Sequence, residues 1–278
     1  MNPNISSVPV PDRAEAHGAI GVAGVAHVVF AVTLIGLGLI GLISGDFTQV
    51  WKPIPKWLPA HELMAYVSAL ICLGCGAGLL WQRTAFAAAR VLLIYCVVLT
   101  LAFKARFIIL APAQEGSYQS CGENAVLVAG AWVLYAWFAA GQPHRALAAG
   151  DTGVRIARVI YALALIAFGL SHFAYLNLTA PLVPGWLPWH VGWAYFTGAA
   201  YLAAAVALLT GVWARLAAAL STVMMAGFTL LVWLPMAFAG TLSPFQWGEL
   251  VVSWALTAAA WVVADSYRGR AWLAVVRP

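Results

Sequence analysis

Residues 55–66 read PKWLPAHELMAY, and residues 184–195 read PGWLPWHVGWAY. The two stretches lie 129 residues apart and share a proline, the tripeptide Trp-Leu-Pro, a histidine and a tyrosine at the same positions. Each introduces a long apolar run, so the same turn precedes the same kind of segment twice. Because self-similarity at a fixed distance is typical of duplicated structural units, we expect two units of similar fold.

The composition predicts that both units lie in a membrane. Of the 278 residues, 64% are apolar and 8% are charged, against about 45–50% and about 25% in an average soluble domain. A helix needs about 20 apolar residues to cross a bilayer, and backbone groups in hydrocarbon must be hydrogen-bonded within the segment. Runs of this kind predict helices over residues 19–43, 61–81, 86–110, 122–140, 154–177, 189–210, 213–238 and 247–264.

The predicted fold is an all-α polytopic membrane helical bundle, with eight transmembrane helices arranged as two parallel four-helix repeats. A unit with four spans returns the chain to the side on which it started, so both units have the same orientation. The predicted divisions are an N-terminal tail at 1–18, a first unit at 19–150, a second unit at 151–264 and a C-terminal tail at 265–278.

The basic residues predict the orientation, and the formal net charge is +5. One predicted face carries Arg13, Arg83, Arg90, Arg145, Arg155, Arg158, Arg215, Arg268, Arg270 and Arg277. The loops of the opposite face carry only Lys52 and Lys56. The positive-inside rule therefore places both termini in the cytoplasm, and we expect a bacterial inner-membrane protein. Because the basic residues are spread over several loops, the expected partner is the lipid bilayer and not nucleic acid. The sequence leaves the oligomeric state open.

The second half resembles a known family of small membrane proteins. It reads FGLSHFAYL at 168–176, LVPGWLPWHVGWAYFTGAAYLAAAVALL at 182–209, ARLAAAL at 214–220 and FTLLVWLP at 228–235. This succession is similar to the DoxX-like family. The first half has a weaker version, KPIPKWLPAHELMAYVSALICLGCGAGLL at 52–80. The chain therefore resembles two DoxX-like units fused into one protein.

The resemblance implies an integral membrane four-helix bundle, and some members of the family take part in thiosulfate:quinone oxidoreduction or in membrane oxidoreductase complexes. It thus implies a membrane subunit that handles a quinone or a sulfur or redox metabolite, with a redox partner protein. Many relatives have a histidine before the Leu-Pro or Ile-Pro of the third helix. This chain has Trp233 there, so a role that depends on that histidine does not transfer.

Two polar clusters are predicted at the non-cytoplasmic face, one in each unit. The first consists of His61, Glu62, Lys104, Arg106 and Glu123, and the second of His172, His190 and Glu249. Ionisable side chains within a membrane normally face the bundle interior and find a partner there. The clusters suit a small polar ligand or a quinone head group, or else they stabilise helix starts through the helix dipole. We assign no metal, because the chain has no close spacing of metal ligands.

A thiol pair offers weaker catalytic candidates. Cys72 and Cys75 have the C-x-x-C spacing, but they lie in the middle of a predicted helix, where an i,i+3 pair closes a disulfide only with strain. His27 is expected at nearly the same depth as Cys72, so a histidine–thiol contact is geometrically allowed. The alternative is that both cysteines are small residues that let two helices pack closely.

The sequence thus does not decide whether the protein is an enzyme, and it favours three functions in a definite order. The first is the redox membrane subunit. The second is a non-catalytic membrane protein that binds lipid or a small molecule, or that assists the assembly of a membrane complex. The third is a secondary transporter, which the repeat favours, whereas the clustering of prolines at span ends does not.

Overall fold

The computed structural model describes residues 24–55, 57–140 and 148–275. Within these residues, eight helices are long and apolar enough to cross a membrane, as expected of an integral membrane protein. They are α1 (Val25–Ser44), α2 (His61–Leu80), α3 (Gln82–Leu110), α4 (Glu115–Ala139), α5 (Gly150–Ala174), α6 (His190–Thr210), α7 (Ala214–Phe238) and α8 (Pro244–Asp265). We call α1–α4 the first half and α5–α8 the second half.

The number and order of the predicted helices are confirmed, and their edges differ. The largest difference is at α4, which begins at Glu115 and not at residue 122. The polar residues 115–120 form its first turns, and a hydropathy criterion excludes them. The predicted tail at 1–18 and residues 19–23 of the first predicted helix lie outside the described residues.

The two halves share their fourth helices. Consecutive helices pack against each other, including α4 against α5 where the two halves meet. In addition, α8 packs against α1. The helices α4 and α8 pack together closely, since a Cβ added at Gly130 would lie 3.1 Å from the Ala259 carbonyl oxygen. Each half therefore forms a ring of five helices together with the fourth helix of the other half. The first ring consists of α1, α2, α3, α4 and α8, and the second consists of α4 to α8. The division at residues 150 and 151 stays a prediction.

Irregular backbone occurs at matching places in the two halves. Both α3 and α7 contain a π-helical segment, at Thr100–Lys104 and at Phe228–Trp233. Both α2 and α6 begin after a residue with left-handed backbone, Ala60 with φ 53° and Trp189 with φ 60°. A duplicated unit would produce these similarities, although the duplication itself stays a prediction.

The bundle has two distinct ends. The WLP end carries residues 45–55 and 57–60, and the connections 111–114, 175–189 and 239–243; Trp-Leu-Pro occurs at 57–59 and at 186–188. The arginine end carries the turn at Trp81, the end of α4 at Ala139, the start of α5 at Gly150, the turn 211–213 and the segment 266–275. The described arginines of the predicted cytoplasmic face all lie toward the arginine end: Arg83, Arg90, Arg155, Arg158, Arg215, Arg268 and Arg270. Arg13, Lys56, Arg145 and Arg277 lie outside the described residues.

Candidate functional site

The second half encloses a cavity of about 590 Å³, here called the main cavity. All five helices of the second ring contribute to its lining. Leu178, Ser243 and Phe245 are exposed at the WLP end of the lining, whereas Tyr201 and Met225 are buried deeper in the ring. The cavity therefore runs from the WLP end into the interior of the bundle.

Two polar side chains stand out among the deeper lining residues. The Nδ1 atom of His172 lies 2.8 Å from the Phe168 carbonyl oxygen. Because a carbonyl oxygen only accepts hydrogen bonds, Nδ1 carries the proton, and Nε2 is left to face another partner. The ring of Tyr201 lies 5.8 Å from that of His172.

The Tyr201 side chain is the more unusual of the two. Tyr201 is only 3% exposed, and its hydroxyl makes no hydrogen bond with any part of the chain that the structure describes. The hydroxyl oxygen is not fully enclosed by protein and lies at the cavity wall, so it is available to bind water or a ligand. Tyr201 and His172 together thus offer two unsatisfied polar groups inside the cavity.

Several aromatic side chains form part of the walls of the main cavity. Phe168, Phe228 and Trp233 line it, and the Phe228 ring lies 5.9 Å from the His172 ring. Ligand sites in proteins typically measure about 300–1,000 Å³ and combine apolar walls with a few placed polar groups. The main cavity has this size and this composition.

Two glutamates lie where the halves meet. Glu123 of α4 and Glu249 of α8 line both the main cavity and a smaller cavity of about 290 Å³. Lys104 is 1% exposed, and its ammonium group donates to the Lys52 carbonyl oxygen and, over 2.8 Å, to Ser120 Oγ. The Lys104 charge also interacts with both glutamates. This arrangement depends on the contact between α4 and α8.

The structure therefore groups the predicted site residues differently from the sequence. It brings Glu123, Glu249 and His172 together around the main cavity, with Lys104 behind the two glutamates. The partition into one cluster per unit is wrong, because it assigns Glu123 and Glu249 to different sites. The reason is that the fourth helices pack across the halves.

The remaining candidates lie outside the main cavity. His61 is the first residue of α2, with Nε2 3.8 Å from Asp46 Oδ1 and its ring against Phe47. Glu62 follows it in the first turn of α2, and His190 begins α6. The Arg106 guanidinium lies 5.5 Å from the ring of its neighbour Phe107. None of these four side chains lines the main cavity.

Asp46 organises the connection before α2 electrostatically. It pairs with Lys52 Nζ at 2.8 Å, and its Oδ1 accepts a hydrogen bond from the Phe47 amide at 2.7 Å. Burial by itself would raise the pKa of Asp46, but these hydrogen bonds and the charges of Lys52 and His61 hold that pKa below its ordinary value. The carboxylate thus stabilises the first WLP connection in its ionised form.

The thiol pair lies in the packed core of the first half. Cys72 and Cys75 are buried and not joined by a disulfide, and Cys72 Sγ lies 3.9 Å from the Tyr95 hydroxyl. His27 packs against Phe138 and forms a hydrogen bond with the backbone of Leu79. Leu79 lies seven residues from Cys72, about 10 Å along the helix. The structure thus places His27 beside Leu79, and the histidine–thiol contact that the sequence allows stays a hypothesis.

Tyr201 is the site residue that the sequence analysis missed. A tyrosine within a long apolar run carries no local signal of function. The available signal was a difference between the repeats, since Tyr201 stands 129 residues after Cys72. A position at which two similar units carry different side chains is a place where their roles can diverge.

Comparisons with protein-family models, curated proteins and solved structures find no match for this chain. The function must therefore be argued from the main cavity, its side chains and the sequence resemblance.

Proposed function

We propose that the protein is a DoxX-like membrane redox subunit that binds a quinone head group in the main cavity. The observation that supports this most directly is the pair formed by the unpartnered Tyr201 hydroxyl and His172 Nε2 within an aromatic enclosure. The proposal includes the interpretation that the two halves are duplicated DoxX-like units.

The chemistry of a quinone matches these groups. Its ring is flat and apolar, so it packs against Phe168, Phe228 and Trp233. Its carbonyl oxygens accept hydrogen bonds, and the Tyr201 hydroxyl can donate one. A hydroquinone O–H instead donates, and the neutral His172 Nε2 accepts. Both redox states of the ligand thus have a partner in the cavity.

The charges favour a neutral quinone over a sulfur oxyanion such as thiosulfate. Glu123 and Glu249 line the main cavity, and its described lining contains no lysine or arginine. Lys104 interacts with both glutamates but does not line the main cavity, and its ammonium group already donates to the Lys52 carbonyl oxygen and to Ser120. An anion in the cavity would therefore meet two carboxylates and no cation among the described lining residues, which is unfavourable in a medium of low dielectric constant.

A redox partner protein completes the proposal. Cys72 and Cys75 lie in the other ring, so the cavity itself has no redox-active thiol among its described lining residues. Electrons would therefore pass between the bound quinone and a partner protein. The proposal places the protein in a bacterial inner membrane with both termini in the cytoplasm and the WLP end outside, and the arginines at the opposite end support this orientation.

Equilibrium binding of a short-tailed ubiquinone analogue to the protein in nanodiscs tests the proposal. We expect saturable binding at one site per chain. Tyr201→Phe removes only the hydroxyl and should weaken binding about 3- to 10-fold, because one hydrogen bond contributes about 0.5–1.5 kcal/mol. The matched control is Tyr195→Phe on the same helix, since Tyr195 is exposed and lies outside the cavity.

Two results would contradict the proposal. The first is an absence of saturable binding, and the second is an equal change in affinity for the two tyrosine variants. A purified protein that retains phospholipid and binds no quinone would instead support the non-catalytic lipid-binding function.

A further inference from the structure

A second cavity of about 260 Å³, here called the side cavity, lies between α6, α7 and the connection 175–189. It shares four lining residues with the main cavity: His172, Thr179, Leu182 and Phe228. The two cavities therefore meet at His172, one of the two groups assigned to the quinone head group.

The side cavity faces the lipid. Phe196 of α6 and Leu231 of α7 line it and are 61% and 51% exposed. Phe196 lies six residues beyond the start of α6, about 9 Å along the helix. Exposed apolar side chains at this depth in a membrane-spanning helix contact the hydrocarbon of the bilayer. The rim of the side cavity thus opens sideways into the membrane.

The backbone of α7 explains the gap. Its π-helical segment Phe228–Trp233 interrupts the regular α-helical pattern beside the side cavity, and such segments often mark functional sites. Gly227 precedes the segment and also lines the cavity, and a Cβ added there would meet no atom within 4 Å. The space beside Gly227 is therefore empty of protein.

We propose that this opening holds the hydrocarbon tail of the ligand, so that the protein takes a long-tailed quinone directly from the bilayer. The inference rests on the proposed function and deepens it by naming the ligand class. The head group lies at His172 and Tyr201, and the tail passes between α6 and α7 into the lipid. A lining of Trp193, Phe196, Met224, Leu231 and Val232 suits an apolar chain.

The first test fills the side cavity. Gly227→Phe places a ring in the empty space, and Gly74→Phe is the matched control, because Gly74 is an exposed helical glycine that also has no atom within 4 Å of an added Cβ. Binding of a decyl-tailed ubiquinone should weaken about 10-fold or more in Gly227→Phe, whereas a tailless ubiquinone should change less than about 2-fold. The control should alter neither affinity.

Each outcome of this test has a distinct meaning. Equal losses for both quinones, or no loss for either, would overturn the tail assignment. If the tail assignment fails in this way while Tyr201→Phe still weakens the tailless quinone, the proposed function stands. If the unmodified protein binds neither quinone, both proposals fail.

A second measurement needs no variant. A quinone that carries a photoreactive group at the end of its tail is bound to the unmodified protein and cross-linked, and the labelled residues are identified by mass spectrometry. We expect labels within 193–197 of α6 and 227–231 of α7. Labels confined to the connections 175–189 and 239–243 would show that the tail leaves toward the WLP end, which overturns the inference.

Discussion

The two rings of the bundle differ in what fills them. In the first half, the turn Gln49–Trp51 packs against α4 and α8, and Trp51 is 2% exposed with its ring 5.0 Å from Tyr95. In the second half, the turn Ala180–Leu182 packs against α6, and the ring encloses the main cavity. Similar connections thus bury a tryptophan inside the first ring and leave the main cavity in the second.

The difference follows from a few side chains. Each of these turns ends in a large residue, Trp51 in the first half and the smaller Leu182 in the second. Lys104 holds the first connection in place through the Lys52 carbonyl oxygen. The residue 129 positions after Lys104 is Trp233, which has no charge to make such a bond. We infer that the first half supports the bundle and that the second half binds the ligand.

Trp51→Ala should have the largest effect on this comparison. Removal of a fully buried tryptophan side chain leaves a cavity and typically costs about 3–5 kcal/mol. We expect the free energy of unfolding in detergent to fall by this amount. Trp57→Ala is the control, because Trp57 is 73% exposed. A loss below about 1 kcal/mol would show that Trp51 does not anchor the first ring.

Lys104→Met should have the next largest effect. The change removes both hydrogen bonds of a buried ammonium group, and one such charged bond contributes about 1.5–3 kcal/mol. We expect the free energy of unfolding to fall by about 2–3 kcal/mol. Arg106→Met removes a nearby cation whose guanidinium lies against the Phe107 ring and should cost less than about 1 kcal/mol. Equal losses in the two variants would contradict the anchoring role of Lys104.

Leu182→Trp should make the second ring resemble the first. Leu182 lines both the main and the side cavity, so a larger side chain there competes with the ligand. We expect quinone affinity to fall at least about 10-fold, equivalent to about 1.4 kcal/mol, while the thermal unfolding temperature stays close to that of the unmodified protein. Leu209→Trp, at the far end of α6, serves as the control. Unchanged quinone binding in Leu182→Trp would mean that the ligand lies elsewhere.

The smallest expected effect is the contribution of Asp46 to the pH dependence of stability. Its pKa in the folded protein lies below the ordinary value of about 3.9, so its ionised form stabilises the fold above that value. The contribution is lost as the pH falls through the lower, folded-state pKa. It should be small, because Asp46 and Lys52 are both more than a third exposed.

Thermal unfolding between about pH 6 and pH 3 measures this contribution. As the pH falls below about 4, the unfolding temperature of Asp46→Asn should decrease less than that of the unmodified protein. Asp151→Asn, which removes a carboxylate at the arginine end, is the matched control. Identical profiles for Asp46→Asn and the unmodified protein would show that Asp46 does not stabilise the first connection through its charge.

Features of the fold that depend on local sequence were predictable, whereas features that depend on contacts between distant residues were not. The apolar runs predicted all eight helices, but the start of α4 was placed too late, because Gln119 and Ser120 in its first turns are polar. These side chains line the smaller cavity, and Ser120 accepts a bond from Lys104. A hydropathy criterion cannot distinguish such interior polar residues from a loop.

Part of the candidate site was also predictable. His172, Glu123 and Glu249 were identified because ionisable residues are rare in membrane helices. Their grouping was not predictable, since it requires the packing of α4 against α8 across the halves. Tyr201 carried only the weak signal of differing from Cys72 between the repeats, because the lack of a hydrogen-bond partner for its hydroxyl is visible only in the tertiary structure.

The sequence by itself determined that this protein is a bundle of eight membrane-spanning helices in a given order. Hydrocarbon forces each apolar run to satisfy its own backbone hydrogen bonds, so every helix can be predicted from its own residues. Only the tertiary structure decided that Trp51 is buried inside the first ring and that the second ring contains the main cavity. The reason is that the path of each connection depends on contacts between residues far apart in the chain.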